Sequence, residues 1–140
     1  MLVASRAAEE GAGLHPIDVV LITDGILLGR AVTQALRSDG LRVTDTYARD
    51  SRRARAQKLW FFKGDARVKA TTIHSFKGWE SRALVVGISR CGSANARALV
   101  YTALTRLRND PRGSYLTVVS AADELTAFGR TWPDFVGVAA

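Results

Sequence analysis

Thr72-Ile73-His74-Ser75-Phe76-Lys77-Gly78-Trp79-Glu80 joins two stretches of chain, the run from Val68 into Ile73 and the unbroken apolar Ala83-Leu84-Val85-Val86-Gly87-Ile88. The second is a strand buried on both faces, and such strands belong to parallel sheets. The first reads as a strand that leads into a glycine-containing turn. In parallel α/β sheets the loops at the carboxyl ends of strands carry ligand sites, and this loop is rich in suitable groups. Gly78 permits a tight turn or close approach of backbone to a ligand. Lys77 brings a positive charge, Glu80 accepts hydrogen bonds from sugar hydroxyls, and His74 offers a ring to stack or a nitrogen to bond a phosphate. Each has a plain alternative: Lys77-Gly78 as a surface turn, Glu80 as a partner for Arg82, His74 as a histidine at the core edge.

The same alternation extends outward on both sides. Val19-Val20-Leu21-Ile22, closed by Thr23-Asp24-Gly25, is a further buried strand. Leu28, Ala31, Val32, Ala35 and Leu36 recur at helical spacing with Arg30, Gln34 and Arg37 opposite, and Gly40 is placed to end that helix. Leu41 to Thr46 then reads as a second strand, completing one βαβ unit. Downstream, Ala94 to Leu107 is a helix with Leu99, Val100, Ala103 and Leu107 on one face. Tyr115 to Val119 is a last strand, followed by a short helix that Ser120 or Asp123 caps. Alternating strands and helices imply an α/β sandwich around a parallel sheet. Residues 1–16, with Glu9-Glu10-Gly11-Ala12-Gly13 and Pro16, hold no period and read as a mobile lead-in, leaving 17–140 as one domain. Between Tyr47 and Lys58 the chain is polar and basic, with a helix through Ala54 to Lys58. The quartet Leu59-Trp60-Phe61-Phe62 that follows is either a core anchor or a base-stacking platform.

The 140 residues carry a net charge of +7. From Arg42 to Lys69 the basic residues Arg42, Arg49, Arg52, Arg53, Arg55, Lys58, Lys63, Arg67 and Lys69 face only Asp45, Asp50 and Asp65. A block of this kind favours a polyanion, with nucleic acid the foremost choice, through phosphate contacts and counterion release; a solvated, solubilising loop is the alternative. One cysteine, Cys91, forms no internal disulfide, and with His15 and His74 it makes no ligand set at zinc spacing, so no metal site is expected from side chains. No apolar run approaches the ~20 residues of a membrane span. The start of the chain lacks the pattern of a signal peptide, and a cytoplasmic protein without membrane contact is expected.

Taken whole, residues 72–80 resemble motif V of the UvrD/Rep group of superfamily 1 DNA helicases, T-x-H-x-x-K-G-x-E, with Thr72, His74, Lys77, Gly78 and Glu80 at the five fixed positions. Leu99-Val100-Tyr101-Thr102-Ala103-Leu104-Thr105-Arg106 resembles motif VI, whose core is commonly Y-V-A-L-T-R, and it follows in the family's order. The resemblance covers about residues 17–121 and implies a second RecA-like domain, a P-loop NTPase-type three-layer sandwich with a mainly parallel central sheet. It further implies roles. Arg106 would be the catalytic arginine that reaches the γ-phosphate of ATP, a task suited to a planar, permanently charged guanidinium; its plain alternative is an arginine favoured by the helix dipole. Glu80 would contact the ribose, Lys77 and Gly78 would shape the turn beside the nucleotide cleft, and Thr72 and His74 would face single-stranded DNA.

The departures define what else is needed. No G-x-x-x-x-G-K-[ST] loop occurs, and no acidic pair follows a hydrophobic strand to hold Mg²⁺. ATP and Mg²⁺ would therefore be held mainly by an N-terminal RecA-like ATPase domain of a longer parent protein, and this chain alone is expected to be inactive. Larger relatives insert a subdomain where only Tyr47 to Arg67 stands here. Ser81 occupies a position usually aromatic, and Trp79 one that is often Leu. Two rivals remain: a stand-alone nucleic-acid-binding module built on the basic block, and a protein-interaction domain that retains the motifs without nucleotide contact.

Overall fold

The computed structural model describes residues 13–48, 52, 55–57, 61 and 66–137. Five strands form one sheet: β1 (Val19–Thr23), β2 (Val43–Asp45), β3 (Val68–Thr72), β4 (Ala83–Ile88) and β5 (Tyr115–Ser120). Their order is β2-β3-β1-β4-β5, and every pairing is parallel. The helices are α1 (Ile26–Ser38), α2 (Ala94–Leu104) and the short α3 (Thr126–Gly129).

The layers follow from handedness. A right-handed crossover sends a connection to one face when the chain moves left along the sheet and to the other when it moves right. Only β1 to β2 moves left, through α1; the connections from β2, β3 and β4 all move right. Alternation along the strands separates the two cores accordingly. Leu21 of β1 and Ala70 of β3 face Leu36 and Val32 of α1, together with Val43 and Tyr47. Val20 and Ile22, with Leu84, Val86 and Ile88, face the opposite layer of Phe61, Ile73, Phe76, Val100 and Ala103. The result is a three-layer α/β sandwich.

Several expectations shift. The first two strands share the sheet but are not neighbours, because β3 lies between them; the order of strands is a long-range property. In α1 the buried residues are Gly29, Thr33 and Leu36, while Ala31 and Ala35 are exposed. The cause is Tyr47, which lies against the helix so closely that a Cβ on Gly29 would stand 2.2 Å from its ring. Gly40 does end the helix: at φ +82° it lets its own N–H bond Arg37 and the Leu41 N–H bond Leu36, the paired closure of a left-handed cap. The second helix stops at Leu104, three residues short of Leu107, because Leu107 pairs with Ser81 in a parallel bridge. After β5 the Ser120 hydroxyl accepts from the Ala122 N–H, and Asp123 opens a 3₁₀ turn, so neither residue caps α3 itself.

Of the expected lead-in, residues 1–12 lie outside the described residues. The Gly13 carbonyl accepts a hydrogen bond from Arg82 at 2.8 Å, and Pro16–Asp18 forms a 3₁₀ turn, so the end of that segment is tied to the domain. In the basic block, Arg55, Ala56 and Gln57 are helical and Phe61 is fully buried as a core anchor; the rest of the expected helix and of the aromatic quartet lies outside the described residues. At the other end Phe128 and Trp132 stack edge to face at 5.8 Å, and Phe135 folds back against Gly129. Among the described residues no helix is long and apolar enough to cross a membrane.

Candidate nucleotide and nucleic-acid sites

The expected loop does not gather its residues at one place. Parallel neighbours must be joined across the full height of the sheet, so residues 73–82 run from the carboxyl end of β3 to the amino end of β4. Thr72 lies level with Thr23 and Gly87, four residues above Ala83 along β4, about 13 Å by the rise of a strand. Two core side chains fix the crossing, Ile73 and Phe76, with His74, Ser75, Lys77 and Gly78 exposed between and after them. Gly78 has φ +87°, a conformation that favours glycine, and it turns the chain toward Trp79 and Glu80.

At the carboxyl end, the Thr72 hydroxyl accepts from the Ser75 N–H and pairs with the Ser75 hydroxyl, closing the first turn of the loop. His74 is exposed beside it, not set into the core edge. Asp24, after the central strand, accepts from the Ser89 N–H and hydroxyl, both at 2.7 Å, and from the Arg90 N–H at 3.2 Å. Sequence reading had not singled out Asp24; its only sign was a carboxylate directly after a buried strand.

At the amino end the chain assembles a charged cluster. α2 runs back down the sheet, so its last residues arrive where β4 begins. The Ser81 N–H donates to the Arg106 carbonyl at 3.0 Å, and the Arg108 N–H donates to the Ser81 carbonyl at 2.8 Å. The Glu80–Ser81 peptide is thus bonded directly to Arg106. Ser81 is buried, with its hydroxyl on the Asp18 carbonyl at 2.8 Å, which gives the small polar residue a structural reason.

Arg82 is 1% exposed and lies between Asp18 at 3.5 Å and Asp110 at 3.9 Å, so it does not serve as the Glu80 partner. Asp110 is held well below the usual carboxylate range, first by the Arg112 side chain, then by the Arg112 backbone N–H and, more weakly, by Arg108. The alternation Arg106-x-Arg108-x-Asp110-x-Arg112 was the available sign of this cluster, and it passed unread.

Against this background two side chains stand out. No hydrogen bond or ion pair among the described residues engages the Glu80 carboxylate. Among the described residues the Arg106 guanidinium donates to two neutral groups at its own helix end, the Thr102 carbonyl at 3.2 Å and the Thr105 hydroxyl at 3.1 Å. No carboxylate among the described residues pairs with it. Glu80 lines a cleft of about 180 Å³ with Trp79, Lys69 and Arg108; Arg106 lies outside that lining. A carboxylate that accepts from hydroxyls and a guanidinium that pairs with anions have the chemistry for separate parts of a nucleotide, but the two do not line one cleft. A cradle for its phosphates does not occur in the sequence.

A five-stranded, wholly parallel sheet in this order between helical layers is a RecA-like α/β fold. Among solved structures, the C-terminal domain of a possible DNA helicase from Lactobacillus plantarum WCFS1 aligns with TM-score 0.51 and 18% identity, over 86% of this chain and 64% of that one. The C-terminal part of the Fun30 ATPase domain aligns with TM-score 0.49 and 8% identity, over 85% of this chain and 41% of that one. This chain therefore spans less than two thirds of the length of either. No protein-family model and no curated protein matches the sequence. At these identities the likeness is one of fold.

Proposed function

We propose that the chain is the second motor domain of an ATP-dependent DNA helicase or translocase of the UvrD/Rep type, working against a RecA-like ATPase domain that carries the nucleotide loop. The observation that supports this most is the Ser81–Leu107 bridge, which brings the ends of two separate sequence motifs together with Glu80 and Arg106 as backbone neighbours. A binding module without catalysis gives no reason for that convergence, nor for a guanidinium with no counter-charge among the described residues.

In this reading Arg106 is the arginine finger, a fixed positive charge offered to a phosphoryl group across the domain interface. Glu80 accepts hydrogen bonds from ribose hydroxyls. Lys77 and Gly78 shape the approach to the cleft, and Thr72 and His74 at the opposite end of the sheet face single-stranded DNA. ATP with Mg²⁺, held mainly by the partner domain, would supply the phosphoanhydride whose cleavage drives closure and release of the two domains. Because Arg106 sits on a chain segment clamped by α2 before it and by Ser81 after it, a change of domain separation moves the guanidinium as part of a rigid body. The coupling of nucleotide state to domain closure is then a difference in contacts made by Arg106 and Glu80 in the two arrangements.

The test is turnover. In the parent protein, or with the ATPase domain joined to this one, Arg106→Ala is expected to lower DNA-stimulated ATP hydrolysis on the order of a thousandfold, with the folded structure intact by circular dichroism. Near-normal turnover in that variant rejects the assignment.

A further inference from the structure

The two edges of the sheet are finished differently. At β2 the groups that point away from β3 are occupied from α1: Arg37 donates to the Val43 carbonyl at 3.0 Å, and Arg30 donates to the Tyr47 carbonyl at 2.9 Å. Charged cover of this kind keeps an edge from pairing with another chain. β5 has none. The Tyr115 N–H donates to the Arg82 carbonyl and the Ala121 N–H to the Ile88 carbonyl. By the alternation of a ladder, the N–H and C=O groups of Leu116, Val118 and Ser120 point the other way, off the sheet. Among the described residues no backbone group bonds them. The strand reads Tyr-Leu-Thr-Val-Val-Ser with no charge and no proline, and its register with β4 runs unbroken from Ala83–Tyr115 to Ile88–Ser120, so no bulge turns it away.

The two ends of this edge carry opposite charge. Before it, Arg108 and Arg112 share Asp110, and the Arg112 side chain is 66% exposed. After it, Asp123 and Glu124 are exposed, and no ion pair among the described residues holds either. A strand laid antiparallel along β5 therefore needs an acidic flank at one end and a basic flank at the other. A second β5 supplies both.

We propose that β5 is the interface between two copies of this chain, joined edge to edge about a two-fold axis. The register follows from which groups point outward. Residues with outward groups form the hydrogen-bonded pairs of an antiparallel ladder, and all of them find partners only if Val118 meets its own counterpart and Leu116 meets Ser120 of the other copy. Val119, exposed on the sheet face, then lies opposite Thr117 in a non-hydrogen-bonded pair of β-branched residues. Arg112 is brought toward Glu124 of the other copy. Every contact occurs twice, as an isologous interface requires, and one sheet runs through both copies.

Sedimentation of the full chain is expected to give a dimer at micromolar concentration. Ser120→Pro removes an outward donor and leaves the β4 ladder its partners; the two-fold axis doubles the loss, so the dissociation constant should rise on the order of tenfold. Val119 packs in neither core, and Val119→Lys, a charge placed on the edge, carries the same expectation should Ser120→Pro fail to fold by circular dichroism. Register is read by mixing. The Cα atoms of a non-hydrogen-bonded pair stand about 4.5 Å apart, within reach of a disulfide. Thr117→Cys mixed with Val119→Cys under oxidised glutathione should therefore give a cross-linked pair, and either variant alone should give little; the native Cys91 is buried. A chain that stays monomeric at every concentration overturns the proposal. So does a dimer that neither edge variant weakens and that yields no mixed disulfide, since its contact lies on another face. Protection of the Leu116 and Val118 amides from hydrogen exchange only when the ATPase domain is joined, with no dimer, gives the edge to a strand of that domain and likewise overturns it.

Discussion

At the carboxyl end of the sheet the strands are tied by hydroxyl groups, Thr46 to Thr71 at 2.6 Å and Thr23 to Tyr47 at 3.1 Å, with the Tyr47 hydroxyl also donating to the buried Thr71 carbonyl at 2.7 Å. At the amino end they are tied by full charges, with Arg82 between Asp18 and Asp110, and Arg108 and Arg112 on the same Asp110. The hydroxyl bonds fix geometry, and the charge beside them is the local Arg37–Asp45 pair. The charged network fixes geometry and also creates a field. Asp110 is engaged by three arginines, so no acid of the cluster remains for Arg106, and the amino end keeps a positive bias where the proposal puts an anion. What the contrast teaches is that frame and site can be separated along one short sheet.

Substitutions should affect the two ends unequally, with the largest effect at the charged end. Arg82→Met removes the shared partner of two acids from a buried position and should cost about 3 kcal/mol in urea denaturation, as expected when one member of a buried ion pair is lost. A loss under about 1 kcal/mol would mean that the amino end is held by packing. Next comes the frame. Gly29→Ala puts a methyl group into the ring of Tyr47 and should cost about 2 kcal/mol through overpacking. The penalty should vanish in a Tyr47→Ala background, where the space is empty; a penalty that persists would locate the cause in the helix itself.

How far these features could be read in advance depended on how local their causes are. β4 was legible to the residue, because a strand buried on both faces is apolar throughout, and the cap at Gly40 followed from one glycine after a periodic run. The buried face of α1 was legible at Val32 and Leu36 but not at Gly29 and Thr33, because Tyr47, beyond the next strand, decides how far round the helix is covered. The end of α2 was misjudged for a related reason: Leu107 keeps the apolar spacing of the helix and packs on the same core, yet its backbone pairs with Ser81, 26 positions away in the chain. The motif spacing identified which residues of the 72–80 loop to watch. It held no sign that the loop crosses the sheet and divides them between two ends, since that follows from strand order, which no local pattern records.

Smaller effects test the hydroxyl network alone. Tyr47→Phe keeps the ring over Gly29 and removes the donor to the Thr71 carbonyl, so about 1–2 kcal/mol should be lost as that buried acceptor goes unsatisfied. Thermal melts at neutral pH would show it. An unchanged midpoint would mean that the ring, not the hydroxyl, holds the carboxyl end.

The finest discrimination is by pH, because the two ends should fail at opposite extremes. Burial, opposed by the hydrogen bond with Thr23 and reinforced by the charge of Asp45, pushes the Tyr47 hydroxyl well above its ordinary value. The folded chain therefore favours the neutral phenol, and the stability tied to it is complete below the unfolded value of about 10 and declines as pH rises beyond it. Asp110 is shifted downward, so the folded chain favours its charged form; that contribution is present above the unfolded value of about 4 and declines as pH falls below it. Melting temperature followed across the whole range should then lose part of its alkaline slope in Tyr47→Phe and part of its acid slope in Asp110→Asn, each variant leaving the other limb as in the parent. If one substitution altered both limbs, the two ends would be a single electrostatic unit, and the separation of frame from site would not hold for this sheet.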